Sequence, residues 1–133
     1  MDLSPRLQRG DWSAVAGALR TGPAARAITT VELGGAPLQY YLPGLHNLAR
    51  GSSVTVSEID ETGYAPLRAS AGRPPAPGFR LVQRRNLNGL LVYRFVSLVP
   101  RAVSERALSS HVITLAHPEV LVPADLRASM AGL

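Results

Sequence analysis

RAITTVELGGAPLQYYLPGL, residues Arg26–Leu45, decides the fold. Ala27–Leu33 is a near-continuous apolar and β-branched run. Such a run suits a strand covered on both faces, as in a parallel sheet. Gly34-Gly35 supply a turn, and Pro37 suits the first position of a helix. Leu38, Tyr41, Leu42 and Leu45 fall at i, i+3, i+4 and i+7, one helical face. Pro43 limits its regular part to about two turns.

Upstream, residues 1–10 are polar with an early Pro5 and read as a lead-in. Asp11 can cap a helix whose apolar face is Trp12, Val15, Ala16 and Leu19, stopped by Thr21-Gly22-Pro23. Downstream, Ser53–Ile59 alternates apolar and polar as a second strand should. Residues 60–78, rich in Gly and Pro, read as a long loop. Phe79–Arg85 and Leu90–Leu98 flank Asn86-Leu87-Asn88-Gly89, and Asn-Gly between two such runs signals a hairpin. That turn pairs Leu81 with Val96 and Val82 with Phe95.

Beyond Pro100 the pattern predicts a short helix capped by Ser104, a strand over His111–Leu115 and a terminal helix over Pro123–Met130. No internal repeat is present. The expectation is one α/β domain over residues 11–133, a small Rossmann-like sandwich. Its mixed sheet includes a C-terminal antiparallel hairpin.

Composition excludes several chemistries. The Lys+Arg total of 14 is all Arg, so no lysine nucleophile, Schiff base or P-loop lysine exists. Cysteine is absent, which removes thiol catalysis, disulfides and cysteine-ligated zinc. A net charge of +5 permits an anionic partner. The Arg residues are scattered, however, and aromatic content of 5% is sparse for base stacking, so no nucleic acid is expected as partner. No apolar run reaches the roughly 18 residues of a transmembrane helix. The N-terminus lacks the basic and apolar regions of a signal peptide. The sequence as it stands reads as cytosolic or as a soluble piece of something larger.

Candidate chemistry is thin. Gly34-Gly35 before a helix can present backbone N–H groups to a phosphate or carboxylate, or simply form a tight turn. The dinucleotide fingerprint is missing because the two glycines are adjacent and no third follows. Glu58, Asp60 and Glu61 form the acidic cluster; on a strand Glu58 and Asp60 share a face about 6.6 Å apart. That pair could serve acid–base chemistry, or be solvated carboxylates at a strand-to-loop exit. Tyr40 and Tyr64 could stack on a sugar ring or partner, whereas Tyr41 falls on the apolar helix face. His46, His111 and His117 lack helical metal-pair spacing and read as surface or packing residues. No motif supports a triad at Ser109-Ser110-His111. No catalytic residue, metal or cofactor is expected.

One ordered string stands above this background: Asp11-Trp12, Tyr41-Leu42-Pro43-Gly44, Glu58-Ile59-Asp60, Gly63-Tyr64 and Pro77-Gly78-Phe79-Arg80. Over residues 11–98 it resembles the soluble C-terminal segment of actinobacterial multi-pass (GT-C) glycosyltransferases of the protein-mannosyltransferase and aminoarabinose-transferase type. The order and spacing carry the resemblance, not any single motif. It implies a parent protein that transfers a sugar from a polyprenyl-phosphate donor at the outer face of the membrane. The family's catalytic acid lies in an early loop between membrane helices, so none carries over here. The implied role is an accessory, non-catalytic extracytoplasmic domain. Its partners would be the membrane-embedded domain and a glycan or lipid-linked sugar. The alternative is a stand-alone small-molecule or nucleotide-binding module using Gly34-Gly35, placed in the cytoplasm. A hydrolase using Glu58 and Asp60 is a third reading.

Overall fold

A computed structural model gives the fold and describes residues 14–19, 26–31, 40, 42, 44–64, 69–87, 89–111, 118–123 and 128–130. Among these, helix α1 covers 14–19, and seven strands follow: β1 (Arg26–Val31), β2 (Leu45–Asn47), β3 (Ser52–Gly63), β4 (Arg80–Leu87), β5 (Leu90–Ser104), β6 (Pro118–Pro123) and β7 (Ala128–Met130). Helix α2 (Glu105–Ser109) lies between β5 and β6. The sheet order is β2-β6-β1-β3-β5-β4, and β7 pairs with the start of β3. β1 and β3 run parallel, while the other described pairs are antiparallel. The architecture is therefore mixed α/β with a mixed sheet and the expected hairpin. One parallel pair does not establish a Rossmann-like arrangement.

The Arg26–Val31 strand forms where its apolar run predicts, and side chains leave it alternately for the two faces. Ile28 joins Val15, Leu19, Leu90, Val92 and Leu121 in a core beneath α1. Ala27 joins Ile59, Phe95, Val120, Val122 and Leu108 in the larger core on the other face. Val15, Ala16 and Leu19 are fully buried, as the helical spacing requires. Phe95 is the largest fully buried side chain, and truncating it to Ala costs about 3–5 kcal/mol.

The hairpin turns at Gly89, whose φ of 96° lies in the left-handed region open to glycine. Gly89 N–H donates to Asn86 Oδ1 at 2.8 Å. The predicted register holds from Leu87↔Leu90 to Gln83↔Arg94, then shifts at a bulge, so Phe95 faces Leu81 and Val96 faces Arg80. Val82 is the extra residue and is 47% exposed; the bulge keeps Leu81 against the core.

Four further expectations are corrected. β3 does not stop at Ile59 but continues through Asp60-Glu61-Thr62 to Gly63, because β1 and β5 flank it and because Arg94, His111 and Thr30 compensate those polar side chains. β5 passes through Pro100 to Ser104; the proline sits in an irregular stretch that needs no ladder N–H. Leu45 begins β2, so the helix read over Pro37–Leu45 ends earlier, the rest lying largely outside the described residues. Pro123–Met130 is not a helix. Pro123 ends β6 opposite Leu45, and Ala128–Met130 pairs with Ser52–Val54. Pairing with β2 and β3 decides that outcome over helical spacing at Leu126 and Met130. The α2 reading holds: Ser104 Oγ accepts from Ala107 N–H at 3.0 Å. The strand read over His111–Leu115 falls mostly outside the described residues, and His111 itself lies in the turn after α2.

Candidate functional site

The chemistry gathers on β3, residues Glu58 to Glu61, between β1 and β5. Alternation sends Glu58 and Asp60 to the α1 face and Glu61 to the opposite face. All three are buried, which corrects the expectation of solvated carboxylates at a strand exit.

On the α1 face Asp60 lies directly across from Arg94 on β5, and Arg26 lies across from Glu58 on β1. Arg94 Nε donates to Asp60 Oδ1 at 2.9 Å and lies 3.3 Å from Glu58 Oε2. Arg94 Nη2 donates to the Ala18 carbonyl at 3.1 Å, which anchors the last turn of α1. Arg26 Nη1 stands 3.9 Å from Asp60 Oδ2. Asp60 Oδ2, Glu58 Oε2 and Arg26 Nη1 make no hydrogen bond. Burial holds the Asp60 carboxyl well above its ordinary range; the neighbouring Glu58 adds to this and Arg94 opposes it. Two residues along β3, Thr62 Oγ1 donates to Thr30 Oγ1 at 2.6 Å.

On the opposite face Glu61 meets His111, which α2 delivers at its C-terminal end. His111 Nδ1 lies 3.0 and 3.1 Å from the two Glu61 oxygens. The imidazole stands edge-on to Phe95, with ring centroids 6.1 Å apart. Burial pushes the Glu61 carboxyl up to about 7, against the opposing pull of His111. The hydrogen bond that His111 donates to Glu61 raises His111, against the effect of its burial. His111 Nε2 is enclosed and makes no hydrogen bond, so the imidazole holds a proton against Glu61 without offering a free nitrogen to solvent.

The remaining sequence candidates fall elsewhere. Gly34 and Gly35 lie outside the described residues. Tyr40 and Tyr64 are exposed, at 78% and 45%. Enclosed carboxylates and solvent-facing rings do not make one site. Among the described residues no group of three His or acidic side chains is placed to hold a metal.

Sequence reasoning missed Arg26, Arg94 and the Glu61–His111 pair. A signal existed for Arg94: it interrupts the apolar run Leu90–Val96, and a buried guanidinium requires a carboxylate. The acidic cluster was the obvious supplier. His111 carried no comparable signal, because Glu61 is 50 residues away in sequence.

Comparison with known protein families, curated proteins and solved structures finds no match for this chain.

Proposed function

We propose that the chain is an accessory, non-catalytic domain of a membrane glycosyltransferase that draws on a polyprenyl-phosphate sugar donor, standing at the extracytoplasmic face. The observation that carries the non-catalytic reading is the internal pairing of its acidic cluster. Glu58 and Asp60 are engaged by Arg94, and Glu61 by His111, with all three carboxylates buried. A general acid or base must reach its substrate within hydrogen-bond distance, and these carboxylates face protein instead.

The glycosyltransferase part of the reading is supported by the ordered motif string. Of its described pieces, Glu58-Ile59-Asp60 and Gly63 lie on β3 and Arg80 at the start of β4, on either side of β5 in one sheet. In this role the domain holds or shields an acceptor while the chemistry occurs in the membrane-embedded part.

The DNA upstream of the Met1 codon is the test. An open frame encoding several long apolar helices is the expected result, and a frame without them overturns the reading. Purified chain offered polyprenyl-phosphate mannose and an acceptor peptide is expected to transfer no sugar. Measurable transfer would end the non-catalytic assignment.

A further inference from the structure

Folding sorts the charges of this chain. Among the described residues no carboxylate is exposed: Glu58, Asp60 and Glu61 are buried, and Glu105 and Glu119 are half-buried. Every described Arg except Arg26 and Arg94 is exposed. The fully exposed charges among these residues are therefore all positive, which a net charge of +5 only hints at.

That surface carries an apolar point. Between the pairs Val56↔Arg101 and Glu58↔Val96, β3 advances by Ser57 alone while β5 advances from Ser97 to Pro100. The surplus is pushed outward, leaving Leu98 95% and Val99 52% exposed. The excursion is clasped at its base. Ser97, itself buried, donates from Oγ to the Val99 carbonyl at 2.7 Å and accepts from Arg101 Nε at 2.9 Å. Arg101 lies over Gly78, where any Cβ would collide with its guanidinium. Arg80, opposite Val96, stands on the adjoining strand.

An apolar tip set among guanidinium groups matches the two terms of peripheral lipid binding. Apolar side chains enter the headgroup–acyl boundary, and cations meet anionic phosphates. Nucleic acid would engage the Arg residues and leave Leu98 unused. We propose that the Ser97–Arg101 excursion of β5 is a membrane-contact tip that docks on anionic phospholipid. Leu98 and Val99 enter the interface, and Arg80 and Arg101 face the phosphates. This goes beyond the accessory-domain reading and stands without it, because lipid binding is a property of the chain itself.

The test is co-sedimentation of the purified chain with phosphatidylcholine vesicles and with vesicles containing phosphatidylglycerol. Binding to the anionic vesicles, weakened by added salt, is the expected result. A Leu98→Ser/Val99→Ser variant is expected to lose about tenfold in partitioning. Arg80→Gln is expected to lose about fivefold at low salt. Single Leu98→Ser gives the same reading if the double variant folds poorly, since that side chain is almost wholly in solvent. Equal sedimentation of wild type and both tip variants overturns the proposal, as does no binding to anionic vesicles. Tight binding to duplex DNA that survives the tip substitutions, with vesicles failing to compete, also overturns it and makes the surface a nucleic-acid face.

Discussion

β3 places carboxylates on both faces of one sheet, and the two faces compensate them differently. Beneath α1, Glu58 and Asp60 meet guanidinium groups, which keep their charge at any pH a folded protein tolerates. On the other face Glu61 meets an imidazole, whose charge changes in the physiological range. The same strand thus meets partners of fixed charge on one side and a titratable partner on the other. On both faces burial raises the carboxyl, and the cationic partner it meets opposes that rise.

The Arg side should fail hardest. Arg94→Met strands Asp60 and Glu58 in the interior and releases the Ala18 carbonyl, at an expected cost of about 3–5 kcal/mol. Urea unfolding at pH 7 measures it, and a midpoint within error of wild type would contradict the network. Adding Asp60→Asn should recover part of the loss, because the two positions are coupled.

The His side should show itself in pH dependence. Glu61 binds its proton more tightly folded than unfolded, with a folded pKa near 7 against an ordinary 4.5. His111 is also raised. The folded pair therefore holds protons that the unfolded chain releases, and stability falls as pH rises through this window. The Glu61 contribution is on the order of 3 kcal/mol from pH 4.5 to 7. Glu61→Gln keeps an acceptor for His111 Nδ1–H and should flatten that slope, leaving the part due to Asp60, which has the same sign. Parallel slopes for wild type and variant would remove Glu61 as the titrating group.

A smaller loss probes how His111 is delivered. Ser104→Ala removes the cap of α2 and should cost about 1 kcal/mol by thermal unfolding, with faster amide exchange over Ala107–His111. Smallest of all, Val82→Thr at the exposed bulge should change stability by less than about 0.5 kcal/mol. A larger change would mean that the bulge packs as a core position.

The parts of this molecule legible in the sequence are those fixed by local pattern. The β1 run, the α1 spacing, the Asn-Gly hairpin and the Ser104 cap each carry their cause within a few residues. The unread parts depend on partners far along the chain. Asp60 to Thr62 look like loop until Arg94 and His111 arrive from positions 34 and 50 residues away. The short β6 became a strand because β1 and β2 receive it on either side. The Val82 bulge was invisible because the turn sets register only near itself, while Phe95 and Leu81 set it farther out. Of the candidate site, Glu58 and Asp60 were found as a pair, but their burial was not foreseen, since their neighbours on the ladder were unknown.

β6 has a consequence for how the chain is made. It leaves the ribosome after β1 to β5, yet it lies between β1 and β2. Until Pro118–Pro123 emerges, Ile28–Val31 has β3 on one side and an open row of peptide groups on the other. Open strand edges recruit other chains. The nascent chain therefore carries β1 half-paired from the emergence of β3 to that of β6, and shielding by a chaperone matters most over that interval.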